Sequence, residues 1–134
     1  MNNLQFQFKG YRIQKSIIEI LETGDDDMKL DFELGGHVSV EKGLFTLTLI
    51  TKIHNNSNKI NIEVTTIGKF RFAKESIIEE LQSYFYVNAP AILFPYVRAY
   101  ISTLTNLSGI KPITLPTLNL TELGKTLKDK TVIE

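Results

Sequence analysis

Between Phe6 and Phe72 apolar side chains return at every second position, and that period fixes what this half of the chain can become. Leu4, Phe6 and Phe8 alternate with Gln5, Gln7 and Lys9. Leu30, Phe32 and Leu34 alternate with Lys29, Asp31 and Glu33, and Val38 and Val40 keep the same phase beyond Gly35 and Gly36. Phe45, Leu47 and Leu49 alternate with Thr46 and Thr48, and the run ends near Ile53. Ile60, Ile62, Val64 and Thr66 alternate with Asn61, Glu63 and Thr65, and Phe70 and Phe72 resume the phase after Gly68. A period of two sends alternate side chains to opposite faces of a strand. Short polar turns, Glu41 to Gly43 and His54 to Lys59, join the runs. The pattern predicts four antiparallel strands over residues 3–72, with one apolar face that needs a cover.

Two details refine the first strand. The apolar phase shifts to Tyr11 and Ile13 across Gly10, as a β-bulge would require. Ser16 to Leu21 fits either a strand or a short helix, and the β-branched Ile17, Ile18 and Ile20 favour strand. Thr23 to Asp27 then reads as a turn, its three aspartates solvated rather than arranged as a cation loop.

From Ala73 the period lengthens. Ile77, Ile78, Leu81 and Tyr84 or Phe85 step at helical spacing, with Glu75, Glu79 and Glu80 opposite. Asn88 is placed to cap a second helix with Pro90 in its first turn, where a missing N–H costs nothing. Leu93, Val97, Tyr100, Ile101, Leu104 and Leu107 form its apolar stripe. Pro95 implies either a kink or a start nearer Phe94, and Gly109 ends the helix. A loop follows in which Pro112 and Pro116 forbid regular structure, yet Ile110, Ile113, Leu115 and Leu118 keep it apolar. Asn119 or Thr121 caps a last helix carrying Leu120, Leu123 and Leu127, after which the end of the chain is expected to fray. The reading is a single α+β domain of 134 residues, with helices and crossover loop over 75–128 packed on one face of the sheet.

Composition removes several functions. Fifteen basic and fifteen acidic residues cancel, which argues against general affinity for nucleic acid or anionic membranes. The chain has no cysteine, hence no disulfide, thiolate nucleophile or cysteine-bound metal. His37 and His54, and the paired acids Asp31 and Glu33, read as ordinary sheet and turn residues. No phosphate-binding glycine loop or nucleophile elbow occurs, so no enzyme, metal site or cofactor is expected. The N-terminus lacks the layout of a secretory signal and no apolar run spans a bilayer, so the expected setting is the cytoplasm, without membrane insertion.

All four prolines and four of the five tyrosines fall between Tyr84 and Leu118. There the run Asn88-Ala-Pro-Ala-Ile-Leu-Phe-Pro-Tyr-Val-Arg, with Tyr100-Ile-Ser and Leu115-Pro-Thr-Leu-Asn-Leu, resembles the SecB family of protein-export chaperones. Pro90, Leu93, Phe94, Pro95, Tyr96, Arg98, Pro116, Asn119 and Leu120 carry the likeness, and Met28 to Leu34 and Ile62 to Val64 echo it weakly. The resemblance implies an ATP-independent holdase, a tetramer built as a dimer of dimers. Such a protein holds unfolded secretory precursors and passes them to the motor SecA. It implies a client groove at Phe94, Ile110, Ile113, Leu115 and Leu118. It implies subunit contacts through Phe6 and Phe8 on the first strand, and through Leu93, Val97, Tyr100 and Leu104 on the long helix. It places motor-binding acids at Glu19 and Glu63, but Lys15 stands where an acid is expected. The final segment carries Lys125, Lys128 and Lys130 instead of an acidic tail. Those departures leave room for a SecB-like chaperone of one dedicated client, as in toxin–antitoxin systems. A non-chaperone binding module using the same groove, or a scaffold without a client, are the remaining readings.

Overall fold

A computed structural model describes residues 6–23 and 27–134. Leu4 and residues 24–26 of the aspartate turn lie outside the described residues. The strands are β1 (Phe6–Ile20), β2 (Met28–Ser39), β3 (Leu44–Asn55) and β4 (Ile60–Phe72). Two helices follow, α1 (Ala89–Leu107) and α2 (Leu120–Asp129), and then a short β5 (Thr131–Ile133). The class is α+β, as the alternating and helical periods predict.

The sheet order is β1-β4-β3-β2-β5. Neighbours among the first four strands pair antiparallel, and their register matches apolar to apolar: Phe45 faces Phe70, Ile53 faces Ile62, Val38 faces Phe45. The bulge falls where the phase shift put it, between Phe8 and Gly10, with Gly10 at φ 122. A second register shift, between Ile13 and Lys15, brings the isoleucine-rich half of β1 back into phase with β4. The His54–Lys59 turn closes on the Asn55 side chain, whose Oδ1 accepts from the Lys59 and Ile60 amides at 2.8 and 3.0 Å.

Three expectations need correction. The end of the chain does not fray: Thr131–Ile133 adds a fifth strand, parallel to Gly36–Val38 of β2. The Glu134 amide donates to the Val38 carbonyl at 2.8 Å, and the Val40 amide to the Glu134 carbonyl at 2.8 Å. Gly36 makes this possible, since a Cβ there would lie 2.5 Å from the Thr131 hydroxyl oxygen. Second, the helix expected after Ala73 shrinks to a 3₁₀ turn, Ile78–Leu81, followed by a π-helical turn, Tyr84–Asn88. Its start has an extended Ile77 and no capping side chain, so nothing nucleates a full α-helix there. The wide turn lets the consecutive Phe85 and Tyr86 both bury, at 0% and 7% exposure.

Third, Asn88 is not a cap. It is helical (φ −71, ψ −41), and its side chain makes no capping bond, because the π turn runs directly into α1 through the Ala89 amide bonded to the Tyr84 carbonyl. Pro95 lies inside α1 rather than marking its start. Both Pro95 and Ala91 are exposed, so the carbonyl freed by the missing N–H faces water.

The inner face of the sheet and the helical layer share one core. Phe45, Leu47, Phe70, Phe85, Leu93, Val97, Ile101 and Leu127 are fully buried in it. Each such side chain contributes about 1.5–3 kcal/mol by leaving water.

Candidate functional site

The connection between the helices is a suspended loop. Gly109, at φ 87, turns the chain out of α1. The Thr105 hydroxyl, fully buried, accepts from the Ile113 amide at 2.9 Å and donates to the Ile101 carbonyl at 2.8 Å. Two turns earlier, Arg98 donates from Nε and Nη2 to the Leu115 carbonyl, at 3.2 and 2.9 Å. The same guanidinium lies 5.7 Å from the centre of the Phe94 ring. Two side chains on one face of α1 thus serve loop backbone groups that have no ladder partner, Arg98 as donor and Thr105 as acceptor.

This arrangement divides the expected groove residues. Leu115 is 1% exposed and points into the chain's own core, where it anchors the loop. Phe94, Ile110, Ile113 and Leu118 are only half-buried. Phe94 meets Phe32 of β2 edge-on, ring centres 6.0 Å apart. Phe32 and its strand neighbour Leu30 are also half-buried and pack against the core. Loop, α1 and β2 therefore each leave apolar side chains partly open to solvent. Arg98, Thr105 and Phe32 were not singled out as site residues from sequence. An arginine within an apolar helix, before a loop lacking amide donors, is the signal that could have found the first.

Helix α2 follows the loop. Asn119 is its cap, with Oδ1 accepting from the Thr121 and Glu122 amides at 3.1 and 3.2 Å. Gly124 lets the helix touch the preceding layer, since a Cβ there would stand 2.5 Å from the Tyr86 carbonyl oxygen. Leu127 is buried, while Leu120 and Leu123 are half-buried.

The residues expected at subunit contacts also divide. Leu93 and Val97 are 0% exposed and face the sheet, Leu93 filling the space left by Gly68. Tyr100 and Leu104 are half-buried, and the Tyr100 hydroxyl lies 2.8 Å from Ser16 Oγ. Phe6 and Phe8 are half-buried, their rings 5.0 and 5.3 Å from Phe70. Ile92 and Tyr96 of α1 are 36% and 40% exposed, and Tyr96 lies over the β1 edge, stacked on Tyr11 at 4.5 Å and on Phe8 at 5.7 Å.

On the outer face of the sheet Glu63 is paired with Lys15 at 3.0 Å, and Glu33 with Lys52 at 2.6 Å. The hydrogen bond from Lys52, reinforced by its charge, holds the Glu33 carboxyl below its ordinary value. Glu19 is exposed, opposite Asn61. Among the described residues no three histidines or acids converge as metal ligands. No described helix is long and apolar enough to cross a membrane.

The family described as preprotein translocase subunit SecB matches residues 19–129. The chain belongs to the SecB family. Protein-export protein SecB of Neisseria gonorrhoeae is 34% identical over 104 residues, 74% of this chain and 69% of that protein. The protein MJ0357 of Methanocaldococcus jannaschii is 34% identical over 101 residues, 60% of this chain and 65% of its own length. The match to MJ0357 thus spans just under two thirds of that relative. Among solved structures, the SecB-like chaperone Rv1957 of Mycobacterium tuberculosis, bound to a ChAD peptide from the Rv1956 HigA1 antitoxin, superposes with a TM-score of 0.73. It is 19% identical and covers 86% of this chain and 88% of its own.

Proposed function

We propose that this protein is an ATP-independent holdase, one SecB-like domain that binds unfolded polypeptide along the strip between loop, α1 and β2. The observation that carries the reading is the loop itself. It is tethered by Arg98 and Thr105, yet keeps Ile110, Ile113 and Leu118 half in solvent beside Phe94 and Phe32. A strip of that kind accepts many sequences, because it offers apolar contact without a shaped pocket. It favours unfolded chains by mass action, since native ones keep their apolar residues inside. No catalytic group or cofactor has a part in this. The working form is a cytoplasmic dimer of dimers. β1, with Phe6 and Phe8 near its start, lies on the outside of the sheet and would pair with a second copy. The Tyr100–Leu104 end of α1 and its exposed Ile92 and Tyr96 would meet the other dimer.

A second reading concerns the destination of the client. Delivery to SecA would use Glu19 and Glu63 on the outer face, but Glu63 is already neutralised by Lys15. A dedicated client is the alternative favoured by that pair, and the Rv1957 relative was captured with an antitoxin peptide. Light scattering of an aggregating unfolded protein tests the holdase: suppression at tetramer-equimolar amounts is expected, and none would refute it. Recovery of many precursors, or of one antitoxin-like protein, on the immobilised chaperone separates the two destinations.

A further inference from the structure

The outer face of the sheet is electrically lopsided. At the β1–β2 end its charges cancel in pairs, Lys15 with Glu63 and Lys52 with Glu33, while Asp31 stands across from Lys52 in the β2–β3 register. At the opposite corner only cations stand on β1 and β4: Lys9, Arg12, Lys69 and Arg71, all exposed. The bulge creates the crowding. It sets Lys9 and Gly10 together against Lys69, with Arg71 opposite Gln7 and Arg12 opposite Ile67. None of the four has an acidic partner within 4 Å among the described residues; Arg12 reaches only the Gln14 amide oxygen, at 3.3 Å. The nearby hairpin turn adds Glu41 and Lys42, which offset one another.

Like charges across a strand pair repel, and a fold with a net charge of zero has no need to gather them. Lys69 and Arg71 are next but one on β4, and Lys9 and Arg12 flank Gly10, the partner of Lys69, so the four lie within about two strand spacings of ~5 Å, comparable with the ~8 Å screening length of physiological salt. Beside them lies a concavity of about 270 Å3, lined by Lys9, Gly10, Tyr11, Arg12, Ile67 and Lys69. Its floor, Ile67, is 8% exposed, and no atom lies within 4 Å of where a Gly10 Cβ would stand.

We infer that this corner is a docking site for a carboxylate-rich segment of a partner polypeptide. One or two Asp or Glu side chains enter the concavity against Lys9, Lys69 and Arg12, and an apolar neighbour rests on Ile67. A nucleic acid suits it less well: the cations form a short patch rather than a stripe, and the chain has no overall positive field to draw in a polyanion. The site is separate from the client strip, which lies on the other face.

Fluorescence anisotropy with a short labelled peptide alternating glutamate, alanine and leucine tests it, with the lysine counterpart and a short single-stranded RNA as comparisons. The expected result is saturable, salt-sensitive binding of the acidic peptide alone, weakened about tenfold or more in K69E/R71E. The neutral K69T/R71T, which suits a strand, shows the same loss in smaller degree and guards against misfolding by the reversal. Equal binding in wild type and both variants, absence of binding, or tighter binding of the RNA would overturn the proposal. So would sedimentation showing that the variants abolish self-association, which would assign the corner to a second copy. Client suppression by the variants stays intact, so the outcome is independent of the holdase reading.

Discussion

Arg98→Ala should release the crossover loop while leaving the sheet intact. The guanidinium makes two hydrogen bonds to one carbonyl and lies over Phe94. A bond from a charged donor is worth about 1.5–3 kcal/mol, and a partly exposed cation–π contact about 0.5–1. The two bonds share one acceptor and sit partly in solvent, so they do not add fully. A loss of about 2–3 kcal/mol is the reasoned figure, roughly a 30-fold to 160-fold shift in the opening equilibrium. Hydrogen exchange is the discriminating assay. The Ile113 amide, held by Thr105, and the other loop amides should exchange faster by that factor, while amides of β3 and β4 hold their protection. In urea the midpoint should fall with little change in slope. Arg98→Lys keeps the charge but not the fork, and should recover only part of the loss. Unchanged loop exchange in Arg98→Ala would refute the tether and remove the physical basis of the open strip.

Further outcomes follow from the same geometry. Gly124→Ala gains about 1 kcal/mol of helix propensity, but its Cβ meets the Tyr86 carbonyl; thermal melting should show net destabilisation of about 1–2 kcal/mol, and a stabilised variant would mean α2 is not seated as described. Leu93→Ala should cost about 2–5 kcal/mol in chemical unfolding because the side chain is wholly buried. Tyr96→Ala should cost far less stability and instead shift the oligomer distribution in analytical ultracentrifugation; the reverse ranking would mean the helix faces are assigned backwards. Glu33 has a folded pKa below its ordinary 4.5, so its contribution is full above that value and disappears as pH falls through the lowered one. Carboxyl NMR titration in Lys52→Met should bring the midpoint back toward 4.5, and no movement would deny the pairing.

What the sequence discloses follows the range of the forces involved. The four long strands were legible because alternation is set by burial of one face, and the Gly10 bulge because a phase slip leaves a trace in that alternation. The proline-bracketed loop was legible as apolar and irregular. Its suspension from Arg98 and Thr105 was not, since those bonds join residues far apart in order and no local pattern records them. The division of α1 into a buried Leu93–Val97 edge and an exposed Ile92–Tyr96 edge was missed. A helix with apolar residues on most sides does not say which side meets its own sheet. The terminal strand was missed for a related reason: a three-residue run of Thr, Val and Ile is too short to show a period. Only Gly36, far upstream, marks its docking place.

That last strand has a consequence for how the molecule is made. Its pairing partners, Gly36–Val38, stand 95 positions away in order, so this contact carries a heavy loop-closure cost and cannot help to nucleate folding. During synthesis the first four strands can pair before β5 has emerged. Until Thr131–Ile133 docks, the rim of β2 from Gly36 to Val38 stays bare.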